Sequence, residues 1–368
     1  MQLSRLLRII PRNAMSSNLV PENPSADPAL SAEELLPPVE PPSAGFILQL
    51  FIVPGLIVLT VALLGLLITA LATSGAQDPD KIVQALRGSN QARWQQAKEL
   101  ADMLRLPLRY PELRQSIDLA GHLVELLDEE VDAGLADDNS IKLRFFLCRV
   151  LGEFDVDVGL GVLLKTAAED SELDVRRQAI NALAVLADSF NTMEEPQALK
   201  HEKLVGTFAQ LAAEKNDLLR SEAAFALGVF AMHPAADPQL TAELELLADD
   251  LFGDARYNAA LALARRGNAR AAAPLAEMLD PEAIELTIAR EEWPSRQTFK
   301  RNTILQNALE AIGTLLEKSA PRDRSTLLAA VEQFVASAPQ WKVGGDLPEP
   351  LVVRGQEILE KYAITSAR

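Results

Sequence analysis

The pattern of apolar and polar positions divides this chain into three regimes. Residues 16–45 are polar, rich in Pro, Ser, Glu and Asn, with no Lys or Arg. Such a stretch buries too little apolar surface to fold, so the tail 1–45 is expected to be disordered. From Phe46 to Ala72 there is no charge, and the nearest charges outside are Glu40 and Asp78. A helix crossing the hydrocarbon core needs about 20 apolar residues, so 46–72 predicts one transmembrane helix. A globular core helix seldom stays apolar on every face for so long. Pro54 has no N–H and its ring crowds the preceding turn, so it either begins the regular helix or kinks it. From Pro54 to Ala72 the run still spans about 28 Å at 1.5 Å per residue. Beyond Asp78 the chain alternates helical runs with turns marked by Pro, Gly, Asp and Asn.

Within that third regime one pattern recurs. An acidic or turn residue is followed by an arginine, then by a small or apolar residue three positions on and an apolar one seven positions on. The clear copies are Asp174-Val175-Arg176 with Ala179 and Leu183, Arg220 with Ala223 and Leu227 after Asp217, and Asp254-Ala255-Arg256 with Ala259 and Leu263. Arg144 with Leu147 and Leu151 is a fourth copy, degraded at its start. Two weaker copies flank these. Arg93 is displaced by one from the register of Ala97, and Leu305 stands where an arginine would precede Ala308. Positions i, i+3 and i+7 share a helix face. The small residue there lets a neighbouring helix approach, the leucine fills the core between repeats, and the arginine can reach a preceding turn or a neighbouring carboxylate. An Asp opening the helix is expected to cap it. Partner helices such as GLGVLLKTAAE and AAAPLAEML lie between, giving a period of roughly 32 to 50 residues, typical of two-helix solenoids.

DVRRQAINALA, RSEAAFALG and DARYNAALALARRG resemble the second helix of HEAT repeats, especially the short HEAT-like type of phycobilisome lyases. The resemblance covers residues 80–318 and is strongest over 139–280. It implies an all-α fold, a right-handed α-solenoid of HEAT-like helix pairs over 78–318, with a C-terminal helical cap over 319–368. Helices are expected near 321–337 and 350–363, with residues 281–300 an insertion before the next inner helix. HEAT repeats serve mainly as protein-binding scaffolds, so together with the apolar span and the sparse reactive residues the expected function is a membrane-anchored scaffold that binds a protein partner through the solenoid surface, without catalysis. The alternative is a phycobilisome-lyase-like enzyme or accessory that handles a bilin chromophore.

Composition narrows the partners. The 368 residues carry a net charge of −17, which disfavours nucleic acid, whose phosphates need a basic surface, and broad contact with anionic lipid. Lys81, Arg87 and Arg93 follow the span, whereas residues 26–45 have no basic residue, so the positive-inside rule places the repeats in the cytoplasm. Residues 1–14 hold three arginines that weaken this asymmetry; they read as a short amphipathic segment or as an extension before a true start at Met15. Aromatics make up 5 %, and a composition rich in Ala and Leu suits close helix contacts.

Candidate chemistry is sparse, and neither a metal nor a cofactor is expected. His122, His201 and His233 have no cysteine or second histidine at ligand spacing. Iron-binding HEAT enzymes, the deoxyhypusine hydroxylases, use several His-Glu pairs, and this chain has only His201-Glu202. Cys148, the single cysteine, lies in the apolar run IKLRFFLCRVLG and reads as a buried structural thiol. Gly159 and Gly161 read as a helix-start turn. The acidic run Asp128, Glu129, Glu130, Asp132, Asp137 and Asp138 lacks the spacing of a calcium loop. The one basic concentration, Arg290, Arg296, Lys300 and Arg301 around Trp293, reads either as a solvated loop or as a docking site for an acidic partner with the tryptophan as anchor.

Overall fold

A computed structural model describes residues 43–74, 84–86, 88, 93–106, 110–318 and 324–363. The N-terminal tail, Met15, Lys81 and Arg87 lie outside the described residues. The chain divides into two compact units, Met1–Gly75 and Ala76–Arg368.

The first unit holds helix α1 (Ala44–Ser74), which runs without a break through Pro54. Its stretch Leu48–Leu67 is long and apolar enough to cross a membrane, and none of it is buried among the described residues. Thr60 donates its hydroxyl to the Leu56 carbonyl at 2.7 Å, so this polar group is satisfied inside its own helix, as an apolar solvent requires.

The second unit is an all-α solenoid of helix pairs. Six inner helices stack in sequence: α2 (Arg93–Leu104), α5 (Asp138–Gly152), α7 (Leu173–Thr192), α9 (Asp217–Phe230), α11 (Gly253–Arg265) and α14 (Pro294–Lys318). An outer row packs behind them: α4 (Ile117–Ala133), α6 (Leu160–Glu169), α8 (Leu204–Ala212), α10 (Pro238–Leu247) and α12 (Ala272–Glu277), with the short α3 (Pro111–Arg114) joining α2 to α4. The repeat positions Ala179, Leu183, Ala223, Leu227, Ala259 and Leu263 are all fully buried. Inner helices touch most closely where small residues face each other. A side chain on Gly152 would lie 2.8 Å from the backbone of Ala182, and one on Gly228 would lie 2.8 Å from the Ala262 methyl.

The recurring arginine is the tie between repeats. Arg144 donates to the Leu135 carbonyl at 2.9 Å, in the turn before its own helix, and to Asp170 at 2.7 Å, in the corresponding turn of the next repeat. Arg176 joins the Ala167 carbonyl to Glu214, and Arg220 joins the Glu214 carbonyl to Asp250. Arg256 joins the Asp250 carbonyl to Glu277. The first copy, displaced in the sequence, does the same work: Arg93 joins the Leu86 carbonyl to Glu130. The acidic residues of the pattern are not the caps. Asp174, Asp217 and Asp254 sit inside the first turn, whereas Asp137 and Asn216 cap their helices and Glu172 and Phe252 occupy the cap positions without side-chain bonds. Asp170 and Asp250 instead accept from the backbone N–H two residues on, holding the turn, and take the preceding repeat's arginine with the same carboxylate.

Residues 281–300 are an insertion only in part: α13 (Pro281–Ile288) is an extra helix between outer α12 and inner α14, whereas 294–300 are the opening turns of the 25-residue inner helix α14, which Pro294 begins. Pro at this position loses no hydrogen bond, because the first helical N–H groups have no partner in the helix. The chain ends with α15 (Arg324–Ser337) and α16 (Glu349–Ala363), which pack on each other and on α12 and α14 through buried Leu327, Val331, Phe334, Leu351 and Ile358. The link between them turns at Gly344 and Gly345, whose φ of 65° and 95° only glycine adopts without strain.

Candidate partner-binding groove

The exposed face of the inner helices carries a row of adjoining concave stretches, a groove along the solenoid. One stretch, of about 240 Å³, is lined by Arg149, Phe145, Gln178 and Asn181. The last three also line the next stretch, of about 440 Å³, with Arg177, Glu222, Phe225 and Asn258. Asn258 continues into a third, of about 490 Å³, with Leu261, Arg296, Phe299, Lys300 and Asn307. Neighbouring stretches share lining residues, so they follow one another along the inner helices from α5 to α14.

Helix register explains this lining. Residues two and five positions after each tie arginine turn away from the core: Gln178 and Asn181 after Arg176, Glu222 and Phe225 after Arg220, Asn258 and Leu261 after Arg256. A helical turn of 3.6 residues places i+2 and i+5 on one stripe, away from the buried i+3 and i+7. The pattern that revealed the repeats therefore held the groove residues as well; what it could not say was which stripe stays uncovered.

Charge in the groove is largely self-compensated. Arg105 pairs with Glu153 at 2.7 Å and Arg149 with Asp102 at 3.0 Å. Arg177 meets Glu222 at 2.7 Å and Asp174 at 3.4 Å, and Lys300 meets Asp254 at 2.8 Å and Glu291 at 3.4 Å. Phe225 and Phe299 remain 52 % and 74 % exposed.

The five residues expected to dock a partner have separate fates. Arg301 is fully buried, with its guanidinium on the carbonyls of Val343, Gly345 and Asp346 and on Asn302 Oδ1. It is the sixth tie, four residues before Leu305, where the sequence pattern placed it, and no partner can reach it. Burial holds its pKa below the ordinary arginine value, against the opposing pull of Asp346. Arg290 pairs with Asp217 at 3.0 Å and lies 4.6 Å over the Phe252 ring, and this bond from Arg290 holds the Asp217 carboxyl below its usual range. Lys300 is held between its two carboxylates. Trp293 is 61 % exposed, and Arg296 is exposed on the groove wall. Of the five, only Arg296 and Lys300 line the groove.

The other candidates are accounted for by the fold. Cys148 is buried and its thiol is pushed up by that burial. Asp128 and Asp132 both hold Lys165, at 2.6 and 2.5 Å, Glu130 holds Arg93, and Asp137 caps α5. His201 and His233 each accept a loop N–H at Nδ1, from Lys203 and Ala235. His122 is exposed. Gly159 closes a short 3-10 turn that leads into α6, as its sequence context implied. Among the described residues no group of three or more His, Cys, Asp or Glu side chains is placed to hold a metal.

Residues 255–281, α11 and α12, match the family model of the PBS lyase HEAT-like repeat. The E. coli protein YibA is similar in fold at 16 % identity and a TM-score of 0.39, over 77 % of this chain and 93 % of its own. Human deoxyhypusine hydroxylase, solved in complex with glycerol, is similar at 17 % identity and a TM-score of 0.27, over 80 % of this chain and 99 % of its own. No curated protein matches the chain.

Proposed function

We propose that this chain is a membrane-anchored HEAT-like scaffold: α1 holds it in a bilayer, and the inner-helix groove of the cytoplasmic repeats binds a protein partner without catalysing a reaction. The observation that carries this is the row of adjoining stretches of groove from α5 to α14, with exposed Phe225 and Phe299 in it. Solenoids present extended surfaces of this kind, where each repeat adds a strip, and large exposed aromatics are the favoured anchors at interfaces. The net charge of −17 favours a protein partner over nucleic acid.

Photo-crosslinking in native membranes tests it. Benzoylphenylalanine in place of Phe225 should trap a discrete protein partner, and the same residue in place of Leu246, exposed on outer helix α10, should not. Equal products from both positions, or none from Phe225, would overturn the reading. The alternative, a bilin-handling enzyme, draws on the match over 255–281; a shifted visible absorbance band when bilin is added to the purified chain would favour it.

A further inference from the structure

We propose that the groove takes an extended segment of its partner in which an acidic side chain stands next to an apolar one, with the carboxylate seated on Arg296. This rests on the scaffold reading and specifies its ligand.

The first observation is charge. Every other cation along the groove, Arg105, Arg149, Arg177 and Lys300, already has a carboxylate within 3.0 Å. Among the described residues Arg296 has no ion pair, although the molecule as a whole carries an excess of acid. Among the described residues it is therefore the groove's one cation without a carboxylate partner, open to an incoming anion. A guanidinium presents a planar fork that matches a carboxylate in two parallel bonds. Phe299 lies three residues on, in the same stretch of groove and 74 % exposed. It offers an apolar face beside the charge.

A second observation is the amides. Gln178, Asn181 and Asn307 line the groove, and among the described residues their side chains make no hydrogen bond. Asn258 donates to Ser221 at 3.0 Å and keeps its amide oxygen. A primary amide carries two donors and an acceptor, the complement of a backbone N–H and C=O in an extended strand. A folded partner satisfies its own backbone groups and has no use for such a row; an extended segment does. The groove also has the length. Five inner helices at 8–10 Å spacing span about 32–40 Å, room for about ten to twelve extended residues at 3.3 Å each. Nucleic acid fits poorly, because one open cation among paired ones cannot neutralise a phosphate backbone.

The full chain in detergent micelles, panned against a random dodecapeptide phage library with empty micelles as counter-selection, tests this. The expected winners share an Asp or Glu beside an aromatic or aliphatic residue. As synthetic peptides they should lose about tenfold in affinity when that acid becomes its amide, and at least as much against Arg296→Glu. A Lys at the peptide's acidic position should restore binding to Arg296→Glu. Gln178→Ala and Asn307→Ala should each weaken binding several-fold. Arg296 is exposed and makes no ion pair among the described residues, so an unchanged circular dichroism spectrum is expected for its variant. Selected peptides that bind Arg296→Glu as well as the parent overturn the proposal. An empty selection overturns it too. If the crosslink from Phe225 still captures a protein in either case, the scaffold reading stands; if that crosslink also fails, both fall.

Discussion

At the scale of single residues, the ties between repeats concentrate the largest expected effects. Arg144 and Asp170 are buried almost completely and hold each other at 2.7 Å. Removing one partner strands a buried charge, so Arg144→Ala should cost about 3–5 kcal/mol in denaturant unfolding. Replacing both by apolar residues, Arg144→Met with Asp170→Leu, should recover part of that loss. A single variant as stable as the parent would remove the tie from the account of the fold. The Arg114–Asp155 pair gives a pH-dependent test. Burial alone would raise the Asp155 pKa, but the bonds from Arg114 at 2.6 and 2.8 Å and from Ser189 at 2.5 Å bring it below the ordinary value. A folded pKa below the unfolded one adds stability that is present above the unfolded value of about 3.9 and lost as pH falls through the folded one. Asp155→Asn should therefore cost about 1.5–3 kcal/mol at pH 7, and its gap to the parent should close below about pH 4. A gap that is constant across this range would contradict the assignment.

At the scale of elements, the inner helices are set by small residues whose spacing the sequence displays. Gly-to-Ala in an exposed helix gains up to about 1 kcal/mol. Gly152→Ala should do the opposite and lose about 1–3 kcal/mol, because the new methyl meets the Ala182 backbone at 2.8 Å. Ala223→Phe should lose a similar amount, since Ala223 is fully buried between helices. Thermal melts of both variants decide this, and a midpoint at or above the parent's would mean the inner helices part more easily than their spacing implies. The repeat motif itself was legible, because i, i+3 and i+7 are local relations on one helix. The last inner helix was not. Its arginine lies four residues before the expected place and Pro294 looks like a loop residue, so the start of α14 was read as an insertion.

For the whole molecule, the anchor and the repeats make separable predictions. Alkaline carbonate should leave the full-length chain in the membrane pellet, and release into the supernatant would refute a span at Leu48–Leu67. A reporter fused after Arg368 should be active in the cytoplasm if the basic residues after the span set its orientation; activity confined to the exported side would reverse it. Deleting residues 1–76 should leave a helical domain that unfolds cooperatively, because the second unit has a core of its own, running among the described residues from Leu86 to Tyr362.

The sequence alone determined the apolar span, the all-α class and the register of the repeats. Each of these rests on relations within one helix: a run without charge, a period of 3.6, a small residue at a fixed offset from an arginine. Only the tertiary structure decided which charges are open. Arg290, Arg296, Lys300 and Arg301 are neighbours in the chain and look alike there. Asp217, 73 residues away, meets the first; Asp254, 46 away, meets the third; and the carbonyls of residues 343–346 enclose the fourth. Among the described residues only Arg296 of the four is left without a partner of either kind, facing a groove that five separate helices build. Pairing over such separations depends on how the repeats stack, because a charged side chain is neutralised by whatever folding brings within a few ångströms of it.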